Sequence, residues 1–578
     1  MVKHIFHIFK FFSKRRKFQT FFLINLMIIT SVTEMIGIGL FYPILLLVSN
    51  PENFFQNYYI RYIANLFYIN DPSKLILPLL IASGFFIIIT AFIRIFATWC
   101  FHRFAFGVGA DLGYKMYLKS LYQPYEEQIS QNSSILIDGI TRKLQTVTFG
   151  LLLPLLNICT AVLILITTSI LIILINYIAA ISLICIFMGL YIFIALLHKK
   201  KLENFAKVHA QNSTKILKAL QEGIGANKEI IIDNNQSYFA NLFRNADYQM
   251  RLADSSAQVV GVIPRYIVEA IGMILLILLL GFLYVQKIDL VLHIPLIGTI
   301  GLAAQRTLPL FQTVYFSWTN MKHASVSYND IIKILNKKID DEDLIEIKEK
   351  IKFKENIILE NISFKYKSRN SIVINNNSLI IKKNSIIGIL GESGSGKSTL
   401  IDIILCLLQP TEGRILIDNT DITNDKINIK KWQKIISHVP QDIFISDDKL
   451  KNNICLGVDE KDIDYDLLEE AIKKSQLSNF IQTLDNGIET MLGEKGSQIS
   501  GGQKQRIGIA RALYKKSEMI VFDEATNALD ENTELKIIEL ISKLSLNKTI
   551  ILVTHNSKNL SICDHVYKLE NGVIKYYN

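Results

Sequence analysis

Long apolar runs fill the N-terminal part of the chain and then stop. Runs at 21–48, 75–101, 147–175, 178–197, 263–285 and 294–318 each reach the roughly 20 residues that a helix needs to cross the hydrocarbon of a bilayer. They predict six spanning helices. The intervals between them assign sides. Lys14, Arg15, Arg16 and Lys17 precede the first run, and His198, Lys199, Lys200 and Lys201 close the fourth, so these ends face the cytoplasm by the positive-inside rule. The interval 50–71 carries Arg61 as its only Lys or Arg and is expected outside. Phe54, Phe55, Tyr58, Tyr59, Tyr62 and Leu66 could lay part of it on the membrane surface, with an ordinary connecting loop as the alternative.

A turn at Asn176 and Tyr177 and a short loop at 286–293 complete the outer side. The intervals 102–143 and 198–260 are mixed and helix-forming rather than rich in Gly or Pro. They are expected in the cytoplasm, as contact surfaces for a soluble motor. Residues 1–7 read as a short amphipathic helix on the inner membrane surface. Both termini are then cytoplasmic.

From about Lys352 the pattern changes to short apolar strands alternating with helices. The expected organisation is an all-α six-helix transmembrane domain at 1–335, a charged linker at 336–350, and a soluble α/β domain at 351–578.

Composition agrees with this division. Half of the 578 residues are hydrophobic and the mean hydropathy is +0.29, too apolar for an ordinary soluble enzyme. The net charge of +10 invites a nucleic-acid partner, but many Lys and Arg sit beside the apolar runs, where membrane topology accounts for them. No nucleic acid is expected. The six cysteines show no C-x-x-C pair and no metal-ligand spacing, so reduced structural thiols are expected.

The chemistry is concentrated in the last part of the chain. Gly391-Glu-Ser-Gly-Ser-Gly-Lys-Ser398 fits G-x-x-x-x-G-K-[ST], between an apolar strand and a helix. Gly391, Ser393, Gly394, Ser395 and Gly396 let backbone N–H groups converge on phosphate oxygens at a helix N-terminus, with Thr399 in the first turn. Lys397 can reach the outer phosphates and the Ser398 hydroxyl can hold Mg²⁺. Met519–Glu524 is an apolar strand ending in two acids. Asp523 suits the metal and Glu524 can polarise an attacking water.

Ile499-Ser-Gly-Gly-Gln-Lys-Gln-Arg506, upstream of the acidic strand, resembles the signature motif of the ATP-binding cassette (ABC) family. The resemblance covers essentially the whole chain, with the membrane domain first and an ABC-type P-loop ATPase domain second, the exporter arrangement. It implies an ATP hydrolase that uses ATP and Mg²⁺, and roles for further residues. Tyr366 resembles the aromatic that stacks on adenine, and Gln441 the glutamine that touches metal and water. His555 resembles the histidine at the γ-phosphate, and Asp530, in Ala528-Leu529-Asp530, the loop that crosses the dimer interface. Gly493–Gly496 resembles the segment that meets the membrane domain's coupling helices. Ser500, Gly501, Gly502 and Gln503 are implied to close over ATP held by a second cassette. One chain carries one of each half-site, so the resemblance implies a dimer, and the intact motifs favour a homodimer. Ile499, Asn527 and Asn556 depart mildly from the family pattern and remove no catalytic group.

Ionisable residues inside spans cost roughly 2.5–3.5 kcal/mol on insertion scales and are functional candidates. Here they are Glu34, Arg94, Arg265, Glu269 and Arg306. Arg265 and Glu269, four apart, can pair on one helical face. Arg94, Arg265 and Arg306 are candidates for a phosphate-bearing substrate. The local sequences around these arginines resemble the bacterial flippase for lipid-linked oligosaccharides of protein N-glycosylation. That likeness implies transport of a polyprenyl-pyrophosphate glycan across an inner membrane. Export of another lipid such as lipid A, or of a peptide, is the alternative, and a cassette-gated channel or regulator is the second.

Overall fold

The computed structural model describes residues 7–40, 44, 47, 76–175, 177–285, 290–347, 349–369, 371–525, 531–555 and 557–577. The chain divides into two compact units, Met1–Leu121 with Gln131–Lys338, and Tyr122–Ser130 with Ile339–Asn578.

The described part of the first unit is helical. Its long elements are α1 (Lys14–Gly39), α2 (Ile76–Leu121), α3 (Leu153–Ile175), α4 (Tyr177–Gly225), α5 (Gln236–Val285) and α6 (Leu290–His323), followed by α7 (Ser325–Leu335). Helices long and apolar enough to cross a membrane are found within Lys14–Gly39, Ile76–Leu121, Ser133–Leu174 and Gln236–Leu275. The runs expected to span at 178–197 and 294–318 are helical, within α4 and α6. The polar interval 198–260 forms helical extensions of α4 and α5 around the short helix Asn227–Ile232, as its composition predicts. The amphipathic start at 1–6, the aromatic interval 50–71, Asn176 and loop residues 286–289 lie outside the described residues.

This unit turns its apolar side chains outward. Phe85, Phe92, Leu174 and Leu196 are exposed, whereas the hydroxyls of Thr30, Thr90 and Thr168 are buried. Each of those hydroxyls donates to a carbonyl one turn back, Leu26 at 2.8 Å, Phe86 at 3.0 Å and Ile164 at 2.8 Å, so these three polar groups are satisfied within their own helices. At the polar ends of the helices the packing is conventional. Ala97, Phe101, Phe104, Val108, Leu112 and Met116 form a buried stripe at helical spacing along α2. They pack with Leu23, Met27, Leu151, Tyr328 and Ile331. Gly109 on the same stripe admits close approach: a Cβ there would stand 2.8 Å from Thr148 Oγ1.

The second unit is α/β, as expected. A four-stranded antiparallel sheet has the order β2 (Ile374–Lys382), β1 (Asn356–Phe364), β4 (Glu412–Ile417), β5 (Thr420–Asp421). A six-stranded sheet has the order β10 (Val573–Tyr577), β9 (His565–Glu570), β3 (Ile386–Gly391), β8 (Thr549–Val553), β7 (Met519–Asp523), β6 (Ile436–Val439). Strands β9, β3, β8, β7 and β6 run parallel.

The central strands read as unbroken apolar runs because both faces are covered. Ile387, Ile389, Val521, Ile551 and Val553 join one core with Leu400, Ile404 and the buried Trp432. Their neighbours Ile386, Ile520, Phe522, Ile550 and Leu552 join a second core with Ile507, Ala510 and Ile541. The two-residue period of a strand assigns alternate side chains to opposite faces.

Candidate functional site

Three adjacent strands end at one place. The phosphate loop follows β3, the acid pair closes β7, and His555 lies just beyond β8, which is hydrogen-bonded between them. Ligands of open parallel sheets bind beyond the carboxyl ends of the strands. There a cavity of about 670 Å³ is lined by Tyr366, Ser393, Gly394, Gly396, Lys397, Ser398, Thr399, Gln441, Glu524 and His555. The fold thus gathers most of the residues proposed from sequence.

The loop takes the form that phosphate binding needs. Gly394 and Gly396 have φ of +83° and +105°, in the left-handed region that favours glycine. At Gly391 a Cβ would stand 2.7 Å from both the Leu569 carbonyl and Ser395 Oγ. Gly396 caps helix α8 (Lys397–Ile404), which aims its N-terminal N–H groups at the loop. Ser395 Oγ is buried with no hydrogen-bond partner, a hydroxyl placed to donate to a phosphate oxygen. The residues therefore fit a nucleotide with its metal: Ser398, Gln441 and Asp523 would hold Mg²⁺, which would neutralise charge on the phosphates.

The charged groups form one cluster. Lys397 Nζ donates to the Gly391 carbonyl at 2.8 Å and the Glu392 carbonyl at 3.0 Å, and lies 3.9 Å from Glu524 Oε1. His555 Nε2 stands 2.6 Å from the same Glu524 oxygen. Burial pulls the Lys397 ammonium below the usual lysine range, resisted by Glu524 and Asp523. Burial pushes Asp523 up and Glu524 adds to it, against Lys397 and His555. Glu524 has φ +51°, a backbone conformation that costs a non-glycine residue about 1–2 kcal/mol. Its N–H, bonded to the Val553 carbonyl at 2.9 Å, helps to hold it there. Strain of this kind gathers at functional sites.

Tyr366 packs edge-on against Phe364 with ring centres 4.9 Å apart, and its hydroxyl lies 3.1 Å from Thr399 Oγ1. Ser500, Gly501, Gly502 and Gln503 are not among the residues lining this cavity. They open helix α9 (Gly501–Tyr514) with a capping box, in which Ser500 Oγ accepts from Gln503 N–H and Gln503 Oε1 accepts from Ser500 N–H. The Gly501 and Gly502 N–H groups stand at the mouth of the helix. Ile499 packs against the second core. Asp530, Asn527 and Asn556 lie outside the described residues.

Two features of the site escaped sequence reading. Helix Tyr125–Ser130, from the interval after the second span, belongs to the second unit and lines the cavity through Glu126, Glu127, Ile129 and Ser130. Glu126 Oε1 accepts from Lys367 N–H at 2.7 Å. The other is Asp402 on α8, whose carboxyl is pushed up to about 6 by burial and by Asp523. Neither has a motif; only packing reveals them.

Asp402 carries a pH prediction. A carboxyl held above its unfolded value binds its proton more tightly in the fold. Its stabilising contribution is therefore complete below the ordinary carboxylate range and is lost as pH rises to about 6. Asp402→Asn should raise the thermal midpoint of the nucleotide-free protein at neutral pH and flatten its fall across that window. Coincident midpoint–pH curves for the two proteins would remove this account of Asp402.

The membrane candidates separate. Arg94 Nη1 lies 3.3 Å from Glu34 Oε1 and Arg306 Nη1 lies 4.0 Å from Glu34 Oε2. The three charges come from α2, α6 and α1 and line a cavity of about 420 Å³ with Gln305 and Thr90. Arg265 is not with them; it pairs with Glu269 at 2.7 Å, as its four-residue spacing predicts.

Comparison with known proteins accords with this geometry. Residues 40–297 match the model of the ABC transporter transmembrane region, and residues 374–527 match the ABC transporter family model. This is the domain content of an ABC exporter half-transporter. The fold agrees with a bacterial Atm1-family ABC exporter solved with ATP bound, at TM-score 0.77 and 18% identity, covering 96% of this chain and 94% of that one. An export ATP-binding/permease protein of Rickettsia typhi is 41% identical over 219 residues, 38% of this chain and 37% of the relative. The ATP-dependent lipid A-core flippase of Cupriavidus metallidurans is 32% identical over 217 residues, 37% of this chain and 36% of the relative. The chain thus spans little more than a third of the length of the curated relatives it matches. The half-transporter carries an ABC-type ATPase domain and a multi-pass membrane region.

Proposed function

We propose that this half-transporter works as a homodimeric ATP-driven flippase in a bacterial inner membrane, with both termini cytoplasmic, and that its cargo is a lipid-linked oligosaccharide. Glu524 accepts the proton of an attacking water, His555 orients that carboxylate, and Lys397 neutralises phosphate charge. Ser500 to Gln503, which do not line the cavity of their own chain, serve the nucleotide of the second copy. Helix Tyr125–Ser130 carries the state of the nucleotide cavity to α2, from which it is four residues away in sequence.

The observation that carries the substrate class is the pair Arg94 and Arg306 around a single carboxylate, Glu34, beside a cavity. Two guanidinium forks against one acid leave a net positive charge suited to a phosphate or pyrophosphate. Arg265, held by Glu269, is a weaker candidate. Export of a lipid A-type glycolipid is the second reading, favoured by the relative named as a lipid A-core flippase.

In reconstituted protein a polyprenyl-pyrophosphate oligosaccharide should stimulate ATP hydrolysis. The double change Arg94→Ala and Arg306→Ala should weaken that stimulation at least about tenfold in lipid concentration, since a charged hydrogen bond contributes roughly 1.5–3 kcal/mol. Stimulation by lipid A alone would replace the first reading with the second. Stimulation by neither would overturn both.

A further inference from the structure

The cytoplasmic ends of three helices carry a cluster that the exporter function leaves unused. His209 on α4 and His323 at the end of α6 both face Asp254 on α5. His209 Nδ1 lies 2.6 Å from Asp254 Oδ1, and His323 Nε2 lies 3.0 Å from the same oxygen. The two imidazoles meet edge to face with centres 4.9 Å apart. The potential ligand atoms all lie within 4.8 Å of one another. We propose that His209, Asp254 and His323 form a binding site for a divalent transition-metal ion of the zinc class, which staples α4, α5 and α6 together.

The donor set selects the ion. Two imidazoles and one carboxylate suit Zn²⁺, Co²⁺ or Ni²⁺, whereas Mg²⁺ and Ca²⁺ prefer all-oxygen shells. Tetrahedral coordination with bonds of about 2.0–2.2 Å places neighbouring donors roughly 3.3–3.5 Å apart. Two of the separations, 2.6 and 3.0 Å, are shorter than that spacing and the third is at most 4.8 Å, so side-chain rotations that draw the carboxylate back would admit the ion. Three protein ligands leave a fourth position for water.

The surroundings agree. The His209 and His323 side chains are only 13% and 15% exposed, so the two imidazoles are held by packing, while Asp254 is 39% exposed. His209 also lines a cavity of about 280 Å³ with Arg142, Gln145, Ser213 and Met250, which supplies an entry path. His323 Nδ1 is buried with no hydrogen-bond partner, so no second bond fixes that ring against turning toward an ion. Lys322 next to it is engaged by Glu203 at 3.0 Å. Both rings crowd one carboxylate oxygen, and a cation between them would relieve that sharing. The residues stand 45 and 69 positions apart, which is why no metal-ligand spacing is visible in the sequence.

The test uses the full chain without a histidine tag, stripped with chelator and titrated with Co²⁺. The expected result is the visible absorption of a tetrahedral cobalt complex at one ion per chain, displaced by Zn²⁺. Asp254→Asn and His323→Gln should each weaken binding by about 10- to 100-fold or more, while His102→Gln should not. A second measurement needs no variant: Zn²⁺ should slow acylation of His209 and His323 in the wild-type chain, read residue by residue by mass spectrometry, and spare the rate at other histidines. Absence of the cobalt spectrum, or binding unaltered by both ligand changes, would overturn the proposal. So would protection that is equal at all histidines. The binding test does not depend on the export reading.

Discussion

Replacing Glu524 by Gln is expected to lower steady-state ATP hydrolysis by about 10²- to 10⁴-fold, the contribution of a positioned general base, while nucleotide binding survives. Glutamine keeps the size of the side chain and can still bond to His555, which now stands 2.6 Å from the carboxylate. The strained backbone at φ +51° is unchanged by a substitution beyond Cβ. What disappears is the proton acceptor. The electrostatics favour retained binding, because Glu524 is one of the groups that push Asp523 up. Without that charge Asp523 ionises more readily and becomes a better metal ligand. Phosphate release and fluorescent-nucleotide binding, measured together, separate the two effects. Hydrolysis within about tenfold of wild type would remove Glu524 from the catalytic role.

Asp138→Ala should destabilise the first unit by about 3–5 kcal/mol, the cost of breaking a buried ion pair from one side. Asp138 is fully buried and Lys143 is 5% exposed. The carboxylate accepts from Ser213 Oγ at 2.6 Å and Thr214 Oγ1 at 2.7 Å, and lies 3.6 Å from Lys143 Nζ. Lys143 donates in turn to Asp330 at 2.7 Å. This network ties helix Ser133–Asp138 to α4 and α7 through buried polar groups. Alanine would leave two hydroxyls without their acceptor and a buried ammonium with one partner fewer. Asp138→Asn, which keeps an acceptor, should cost less. A fall in thermal midpoint on the order of 10 °C for alanine, with asparagine between, is the expected order. Equal midpoints for all three would mean the network carries little stability.

The contrast between these two residues shows what the sequence could reveal. Glu524 was legible because its chemistry is built from contiguous chain: a phosphate loop needs successive N–H groups, and an acid pair needs the end of one strand. The apolar runs were legible for the same reason, since a spanning helix is one uninterrupted segment. Asp138, Asp402 and the His209–Asp254–His323 cluster have no such local cause. Each depends on which helix faces meet, and helix packing joins residues tens of positions apart. The arginines lie between these cases. Their cost inside a membrane made Arg94, Arg265 and Arg306 visible as candidates. Only packing sorted them, placing Arg94 and Arg306 with Glu34 and leaving Arg265 with its neighbour one turn away.

The proposed cycle couples nucleotide hydrolysis to the movement of an anionic glycolipid across the bilayer. It is tested most directly in proteoliposomes carrying a polyprenyl-pyrophosphate oligosaccharide in one leaflet, by scoring glycan that becomes accessible to an enzyme on the opposite side. ATP should drive that transfer in the wild-type chain. Glu524→Gln should abolish it together with hydrolysis, and the double change at Arg94 and Arg306 should abolish it while hydrolysis without lipid continues. ATP hydrolysis by the wild-type chain with no transfer of that lipid would contradict the account.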